Sequence, residues 1–202
     1  MSARAEVLDR VRAAIAPAGG DAAGDLPRTY LMHTAEGVET FTKRVHHYGA
    51  STQRVALAEL DTAVRATLAG HGIRRLAAPD GVPEAWLEGV EPLRDTPPLD
   101  PHTLDGSDGV VSTCAVAIAQ TGTIVLDGSA GMGRRVLSLI PDYHLCVVRA
   151  DQIVSSLPEA ITRLDPTRPL TFISGPSATV DIEMVLVSGV HGPRRLEVLI
   201  AE

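Results

Sequence analysis

The sequence predicts an α/β protein with a mixed, mainly parallel sheet flanked by helices. Two observations lead to this fold class. Short runs rich in Val, Ile and Leu alternate along the chain with helical segments of roughly 10 to 15 residues, which is the pattern of βαβ units. Two β-type runs within residues 109–128 instead follow each other directly around Gln120, Thr121 and Gly122, which predicts one antiparallel hairpin.

The N-terminal 29 residues are predicted to stand apart from the α/β domain. A helix with one apolar face comes first, and residues 17–29 are rich in Gly, Pro and Asp, which indicates a flexible connector. We therefore divide the chain into an N-terminal helix with its connector, residues 1–29, and an α/β domain, residues 30–202. The apolar face of the helix comprises Val7, Leu8, Val11 and Ile15.

Helices and strands alternate between residues 35 and 89. Gly70 and Gly72 mark the end of one helix, and Pro79 closes the strand that follows it. A proline at the first turn opens the last short helix of this part. The predicted elements are a helix over 35–47, a strand over 52–57 that leads into a helix over 56–72, a strand over 73–79 and a short helix over 83–89.

The second half of the chain begins with an irregular segment. Residues 91–109 are rich in Pro and Asp, and apart from one helical turn we expect no regular structure there. Beyond them the alternation resumes, and Asp151 is the predicted N-cap of a helix. The predicted elements are the hairpin within 109–128, a strand over 144–150, a helix over 151–164, a strand over 169–174, a helix over 178–189 and a final strand over 194–201.

The composition argues against several classes of function. A net charge of −7 and an aromatic content of 3% leave little that would attract or stack on a nucleic acid. No window approaches the roughly 18 uninterrupted apolar residues of a membrane span, and the N-terminus lacks the apolar stretch of a signal peptide, so we expect a cytoplasmic protein. Cys114 and Cys146 lie in apolar runs and form no CxxC pair, which is typical of inert core residues.

The segment Gly175-Pro176-Ser177 is the first candidate ligand site. It separates an apolar strand from a predicted helix, where Ser177 could cap the helix and leave backbone N–H groups free for a carboxylate or a phosphate. Asp181 falls four residues after Ser177 and is the stronger candidate than Glu183, which points to another side of the helix. The alternative is a capped helix without a ligand, in which the positive end of the helix dipole stabilises the two acidic side chains.

Two further segments supply candidate residues. His191 stands between glycine and proline turns and could serve as a proton donor or an anion ligand near neutral pH, with Arg194 beside it at the start of the last strand. The glycine-rich stretch "LDGSAGMGRRVLSLIP" could wrap an anion and offers Arg134, Arg135 and Ser138. The alternatives are a turn without a ligand role for the first segment and a flexible loop for the second.

Several catalytic and cofactor motifs are missing from the sequence. The glycine-rich stretch is not a Walker loop, and no GxGxxG motif is present, so nothing supports nucleotide binding. The histidines form neither HExxH nor His-x-His, which predicts no metal site, and no GxSxG nucleophile elbow occurs. The residues alone therefore indicate an α/β domain with two or three loops suited to a small acidic ligand.

Three stretches of the chain resemble one known family. The segments "QTGTIVLDG", "RRVLSLIPDYHLCVV" and "FISGPSATVDIEMVLVSGVHGPRRLEVLI" are similar to the lactate utilization protein C family, whose domain is called the LUD domain. The resemblance runs from Ser112 to the C-terminus and is one of pattern over residues 30–110. It implies the fold of the superfamily that contains glucosamine-6-phosphate deaminase, ribose-5-phosphate isomerase and the CoA transferases.

The resemblance also implies a function. Family members belong to a three-protein system that oxidises L-lactate to pyruvate, in which the two partner proteins carry the iron–sulfur centres. This chain is then expected to hold no cofactor of its own. Thr121, Gly122 and Thr123 lie in the family motif and join the candidate ligand residues. Gln120 stands where the family often has an acidic residue, which argues against a catalytic carboxylate at that position.

Three hypotheses remain at this point. The first is a non-cluster subunit of the lactate-oxidising system that binds a small carboxylate at residues 175–177 with His191 or Arg194, and whose partners are the iron–sulfur lactate utilization proteins. The second is a structural or assembly factor without a ligand site, which uses the N-terminal helix as a partner helix. The third is a stand-alone enzyme acting on a phosphosugar or a CoA thioester, which rests on fold alone.

Overall fold

The computed structural model describes residues 3–15, 30, 33–180, 186–189 and 191–202 of the chain. The chain divides into two compact units, residues 1–30 and residues 31–202. The first unit contains helix α1 (Ala3–Ile15), as predicted, and none of the residues of α1 is buried. The predicted connector over residues 17–29 lies outside the described residues. Within the described part of the chain, no helix has the length and apolar content needed to cross a bilayer.

In its described residues the second unit combines helices with three sheets. Its helices are α2 (Val38–His47), α3 (Leu60–Gly70), α4 (Pro101–Asp105) and α5 (Leu157–Arg163). Its first six strands are β1 (Ser51–Val55), β2 (Arg75–Ala78), β3 (Glu91–Arg94), β4 (Gly109–Ser112), β5 (Val116–Ile118) and β6 (Thr123–Leu126). The later strands are β7 (Tyr143–Arg149), β8 (Ile153–Val154), β9 (Thr171–Ile173), β10 (Ala178–Val180), β11 (Leu186–Ser188) and β12 (Arg195–Ala201).

Six strands form one parallel sheet in the order β1-β12-β7-β4-β2-β3. The two long strands β7 and β12 pair over their full length, from Tyr143 opposite Arg195 to Arg149 opposite Ala201. Their near-continuous apolar sequences are typical of strands that are buried on both faces. The predicted α/β class, with a mainly parallel sheet flanked by helices, is therefore confirmed.

An apolar cluster covers each face of this sheet. Leu145 and Val147 of β7 belong to one cluster, together with residues of α3, whereas Cys146 and Val148 belong to the other, together with residues of α2. The alternation follows from the pleat of the strand, which sends successive side chains to opposite faces. Cys114 lies in the second cluster as well, so both cysteines are buried, as expected.

The predicted hairpin is present, but it belongs to a sheet of its own. Strand β5 pairs antiparallel with β6, with Ile118 opposite Thr123, and the four-stranded sheet has the order β8-β5-β6-β9. Ile124 and Ala117 of this sheet pack into the second apolar cluster of the main sheet. The antiparallel element is thus a second layer over one face of the parallel sheet.

The segment predicted to be irregular, residues 91–109, contains strand β3. The prolines of this segment argued against a strand, but β3 is the last strand in the sheet order, and an edge strand tolerates a residue such as Pro92 that lacks an N–H group. The one predicted helical turn is present as α4. Asp100 caps it, because its side chain accepts hydrogen bonds from the backbone N–H groups of His102 and Thr103.

The predicted helix over residues 151–164 is wrong in its first half. Ile153 and Val154 form β8 against β5, and α5 begins only at Leu157. Ser156, and not Asp151, is the N-cap, since its hydroxyl accepts a hydrogen bond from the N–H group of Glu159. Ala150–Gln152 form a single 3-10 turn, and Ile153 and Val154 are extended because this β-branched pair finds a strand partner in β5.

The predicted helix over residues 178–189 is also wrong. Ala178–Val180 and Leu186–Ser188 form the antiparallel pair β10 and β11, with Ala178 opposite Ser188. Thr179 and Val180 of β10 and Val187 of β11 are β-branched and favour strands, and the pairing of the two strands satisfies their backbone groups. The acidic residues of the segment, Asp181 and Glu183, lie outside the described residues.

Candidate functional site

A cavity of about 300 Å³ brings together residues from three parts of the chain, and we call it the Gly175 cavity. Its walls come from the segment that contains β9 and the loop after it, from the turn before β7, and from the loop before β12. Five of the sequence-predicted residues line it, namely Ser138, Gly175, Pro176, Ser177 and His191. Residues far apart in sequence therefore form a single site.

Ser177 does not cap a helix but forms hydrogen bonds that connect the loops of this cavity. The N–H group of Ser177 donates to the carbonyl oxygen of Pro193 at 2.8 Å, and its own carbonyl oxygen accepts from the N–H group of Gly189 at 2.9 Å. Its hydroxyl oxygen accepts from the N–H group of His191 at 3.1 Å. The helix N-terminus that motivated the anion site is thus absent, because the residues after Ser177 form β10.

Gly175 allows the loop after β9 to approach Tyr48 closely. Its φ is +92°, and a Cβ atom at this position would lie 2.5 Å from the Cβ atom of Tyr48. Both the backbone conformation and the contact require glycine. The path of the loop that carries Pro176 and Ser177 therefore depends on this one residue.

The cation at the cavity is Arg135, and not its neighbour Arg134 in the same glycine-rich stretch. Arg134 forms a two-pronged ion pair with Asp95, at 2.7 and 2.6 Å, and also donates to the carbonyl oxygen of Leu99. Arg135 lines the cavity, is exposed and has no ion-pair partner among the described residues. Ser138 follows in the same short turn, and its hydroxyl donates to the carbonyl oxygen of Arg135 at 3.0 Å.

His144 lines the cavity but was not predicted as a site residue. Its side chain is 1% exposed, and its Nε2 atom lies 2.7 Å from the hydroxyl oxygen of Ser112. Burial lowers the pKa of His144 to about 4, so the imidazole is neutral near pH 7. The histidine stands within the stretch "RRVLSLIPDYHLCVV" that resembles the family, and this was the available signal.

Thr121, Gly122 and Thr123 support the cavity without lining it. The hydroxyl groups of Thr121 and Thr123 are 2.7 Å apart, and that of Thr123 is 2.7 Å from the hydroxyl group of Ser174. Ser174 itself lines the cavity next to Gly175. The three hydroxyl groups form a hydrogen-bonded row from the hairpin turn to the cavity wall.

Arg194 and Asp181 do not take part in this site as it is described. Arg194 is exposed, its Nε atom lies 3.4 Å from Oδ1 of Asp142, and it lines a different cavity of about 260 Å³, which we call the Glu197 cavity. Asp181 lies outside the described residues. His191 and Arg194, the two alternatives offered for the carboxylate, therefore line different cavities.

A larger cavity of about 380 Å³ adjoins the Gly175 cavity, and the two share Arg135, Ser138 and Thr171. It contains Asp80 and Thr96, each of which is the second residue after the end of a strand, β2 and β3 respectively. Ligands of open α/β sheets bind at such carboxyl ends of strands. The hydrogen bonds from Arg134 lower the pKa of Asp95 in its wall, so this carboxylate stays ionised.

Comparison with known proteins identifies the family. The chain is 46% identical to the lactate utilization protein C of Deinococcus radiodurans over 98% of its own length and 95% of that protein. The chain belongs to the lactate utilization protein C family. The LUD domain, the domain of this family, matches residues 102–201, which include every part of the Gly175 cavity.

Other members of the family match a shorter part of the chain. The lactate utilization protein C of Shouchella clausii is 40% identical over 39% of this chain and 37% of its own length. A crystal structure of a DUF162 family protein from Deinococcus radiodurans is 43% identical, with a TM-score of 0.68 over 81% of this chain and 95% of that one. The fold of the second unit is therefore shared with a solved structure.

Proposed function

We propose that this chain acts in lactate utilization as the subunit without an iron–sulfur cluster in a system that oxidises L-lactate to pyruvate, and that its Gly175 cavity binds a small carboxylate. One observation carries the proposal. Five of the candidate residues from the family motif converge on a single cavity, and that cavity contains Arg135, a guanidinium group without an ion-pair partner among the described residues. The names of the relatives support the role in lactate utilization.

The chemistry of the cavity suits a small 2-hydroxy or 2-oxo acid. A guanidinium group binds a carboxylate through two parallel hydrogen bonds, and the hydroxyl group of Ser177 is near enough to the same space to add a third. The neutral imidazole of His144 adds polarity without a competing charge. Leu139 and Phe172, both exposed at this cavity, offer apolar contact to a methyl group.

Calorimetric titration with L-lactate and pyruvate tests the ligand site. We expect Arg135→Gln to weaken binding by about tenfold or more, because a hydrogen bond to a charged group contributes about 1.5–3 kcal/mol. Ser177→Ala and His191→Ala should weaken it less. The matched control is Arg74→Gln, an exposed arginine outside the cavity, which should leave binding unchanged. If all four variants bound L-lactate and pyruvate with the affinity of the parent chain, the Gly175 cavity would not be the carboxylate site.

Purification from the native host grown on lactate tests the place of the chain in a complex. A tagged chain should bring with it proteins that show iron–sulfur absorbance, and the eluate should reduce a dye when lactate is added. A colourless and inactive eluate would contradict the role as a subunit of the oxidising system. The clusters belong, in this proposal, to the partner proteins.

A structural or assembly role is the second candidate, and helix α1 favours it. Val7, Val11 and Ile15 lie along one side of α1 and are 59%, 48% and 61% exposed. An exposed apolar stripe of this kind fits a groove on a partner protein. Val11→Asp should then abolish co-purification of the partners, whereas Ala13→Asp, which adds the same charge on the opposite side of the helix, should preserve it. Partner binding that survives Val11→Asp would argue for the ligand-binding role alone.

A further inference from the structure

The Glu197 cavity lies at the amino-terminal edge of the six-stranded sheet, where β1, β7 and β12 begin. Three elements place ionisable side chains in it. His71 follows α3, Tyr143 opens β7, and Arg195 and Glu197 stand at the start of β12. The opposite wall consists of small residues, Gly49 to Ser51, which leave the space open.

Glu197 is held in place by two hydrogen bonds that end on the same oxygen. Its Oε2 atom accepts from the hydroxyl group of Tyr143 at 3.0 Å and from Nε2 of His71 at 2.7 Å. Burial, with Glu197 nearby, raises the pKa of Tyr143, so the phenol stays protonated and is the donor. Oε1 of Glu197 has no hydrogen-bond donor among the residues that the structure describes, and a carboxylate oxygen can accept more than one bond.

Arg195 supplies the opposite charge beside this carboxylate. Its guanidinium carbon lies 5.6 Å from the centre of the Tyr143 ring, and it forms no ion pair within the described ranges. Its neighbour Arg194, by contrast, lies close to Asp142. Because Arg195 and Glu197 are two residues apart on one strand, their side chains lie on the same face of the sheet. A cation and an oriented carboxylate therefore flank one small cavity.

We propose that the Glu197 cavity binds a small α-amino acid, with its carboxylate on Arg195 and its ammonium group on Glu197. A simple anion would meet the carboxylate of Glu197, and a simple cation would meet the guanidinium group of Arg195. A zwitterion satisfies both groups at once, and charge complementarity of this kind confers specificity. The volume of about 260 Å³ restricts the ligand to an amino acid with a short side chain.

This site is separate from the carboxylate site of the proposed function. The two cavities share Leu196, the residue between the two charged ones, and no other residue of their walls. A ligand in either cavity would contact the start of β12. The test must therefore show which cavity is occupied.

Calorimetric titration tests the proposal with L-alanine and glycine as probes, on the full chain carrying Arg135→Gln, so that carboxylate binding at the Gly175 cavity is weakened and does not mask the Glu197 cavity. Acetate and methylammonium represent the two halves of the zwitterion, and L-lactate replaces the ammonium group by a hydroxyl group. We expect L-alanine to bind at least about tenfold more tightly than any of these three. Chemical-shift changes of backbone amides should centre on residues 49–51 and 195–197. Changes centred on residues 175–178, or equal affinities for alanine, acetate and lactate, would overturn the assignment.

Two variants locate the charges. Arg195→Gln and Glu197→Gln should each weaken alanine binding by about tenfold. The matched control is Arg75→Gln, an exposed arginine that also opens a strand at this edge of the sheet and should bind alanine normally. Thermal unfolding of each variant shows whether it is folded, and Arg195→Gln leaves the bonds of Tyr143 and His71 intact. Unchanged alanine binding in a folded Arg195→Gln variant would refute the proposal.

Discussion

His144 couples the stability of the protein to pH. Its pKa is about 4 in the folded chain and about 6.5 in an unfolded one, so the unfolded state takes up a proton first as the pH falls. The stability that depends on neutral His144 is complete above about pH 6.5 and is lost progressively towards about pH 4. We expect the free energy of unfolding in urea to fall by about 2 kcal/mol between pH 7.5 and pH 5 from this group alone.

The variant His144→Gln isolates this contribution. It should be less stable at pH 7.5, and its stability should change less between pH 7.5 and pH 5 than that of the parent chain. The lowered pKa values of Asp95 and Asp108 add pH dependence only at lower pH, because carboxylates in an unfolded chain titrate near pH 4. Parallel stability curves for parent and variant over this range would exclude His144 as the source.

Gly175 offers a test of how closely the loop after β9 is packed. Gly175→Ala meets both an unfavourable φ and the Cβ atom of Tyr48, whereas Gly89 has nearly the same φ, +89°, and open space around it. We expect Gly89→Ala to cost about 1 kcal/mol of unfolding free energy and Gly175→Ala at least about 1 kcal/mol more. Equal losses in chemical denaturation would mean that the contact with Tyr48 adds nothing.

Arg134 and Arg135 show why the site could be predicted only in part. Both arginines follow the same glycine-rich stretch, and the sequence offers no way to choose between them. The choice is made by Asp95, which lies far away in the chain and accepts hydrogen bonds from Nε and Nη2 of Arg134 with its two carboxylate oxygens. Ser177 and His191 could be found because turns and local hydrogen bonds bring them together, but the free cation depended on a distant partner.

At the scale of elements, the start of α5 gives a clear prediction. Ser156 caps the helix, whereas Asp151, the cap expected from sequence, forms an exposed ion pair with Arg149. Ser156→Ala should lower the free energy of unfolding by about 1 kcal/mol, and Asp151→Ala should change it by less than about 0.5 kcal/mol. Urea denaturation of the two variants measures the difference. If Asp151→Ala lowered the free energy of unfolding more than Ser156→Ala, the result would support the longer helix over residues 151–164.

The segment over residues 178–189 shows how a helix prediction fails. Asp181, four residues after Ser177, fits the start of a helix, and the run of apolar residues fits either structure. Strands β10 and β11 form because the segment can pair with itself and because Ser177 uses its backbone for the loops before β12. Short apolar runs of this kind are decided by their partners, which sequence periodicity does not contain.

At the scale of the whole molecule, the alternation of elements was sufficient to predict the class and most of the strands. Strands β1, β2, β7, β9 and β12 lie where the sequence places them, since long apolar runs between helices have few other solutions. The division into a parallel sheet and a separate second sheet was beyond prediction. It depends on which strands pair, and above all on the pairing of β5 with β8, in which Ala117 lies opposite Ile153, 36 residues later in the chain.

The position of β12 has a consequence for how the chain is made. Strand β1 pairs in the sheet with β12 alone, and β12 fills the place between β1 and β7. In a growing chain on the ribosome, β1 and the edge of β7 that binds β12 therefore stay unpaired until residues 195–201 emerge. Parallel pairing across so long a stretch is slow, and unpaired apolar strands aggregate. Translation that stalls before this point would leave a product for chaperones and proteases to remove.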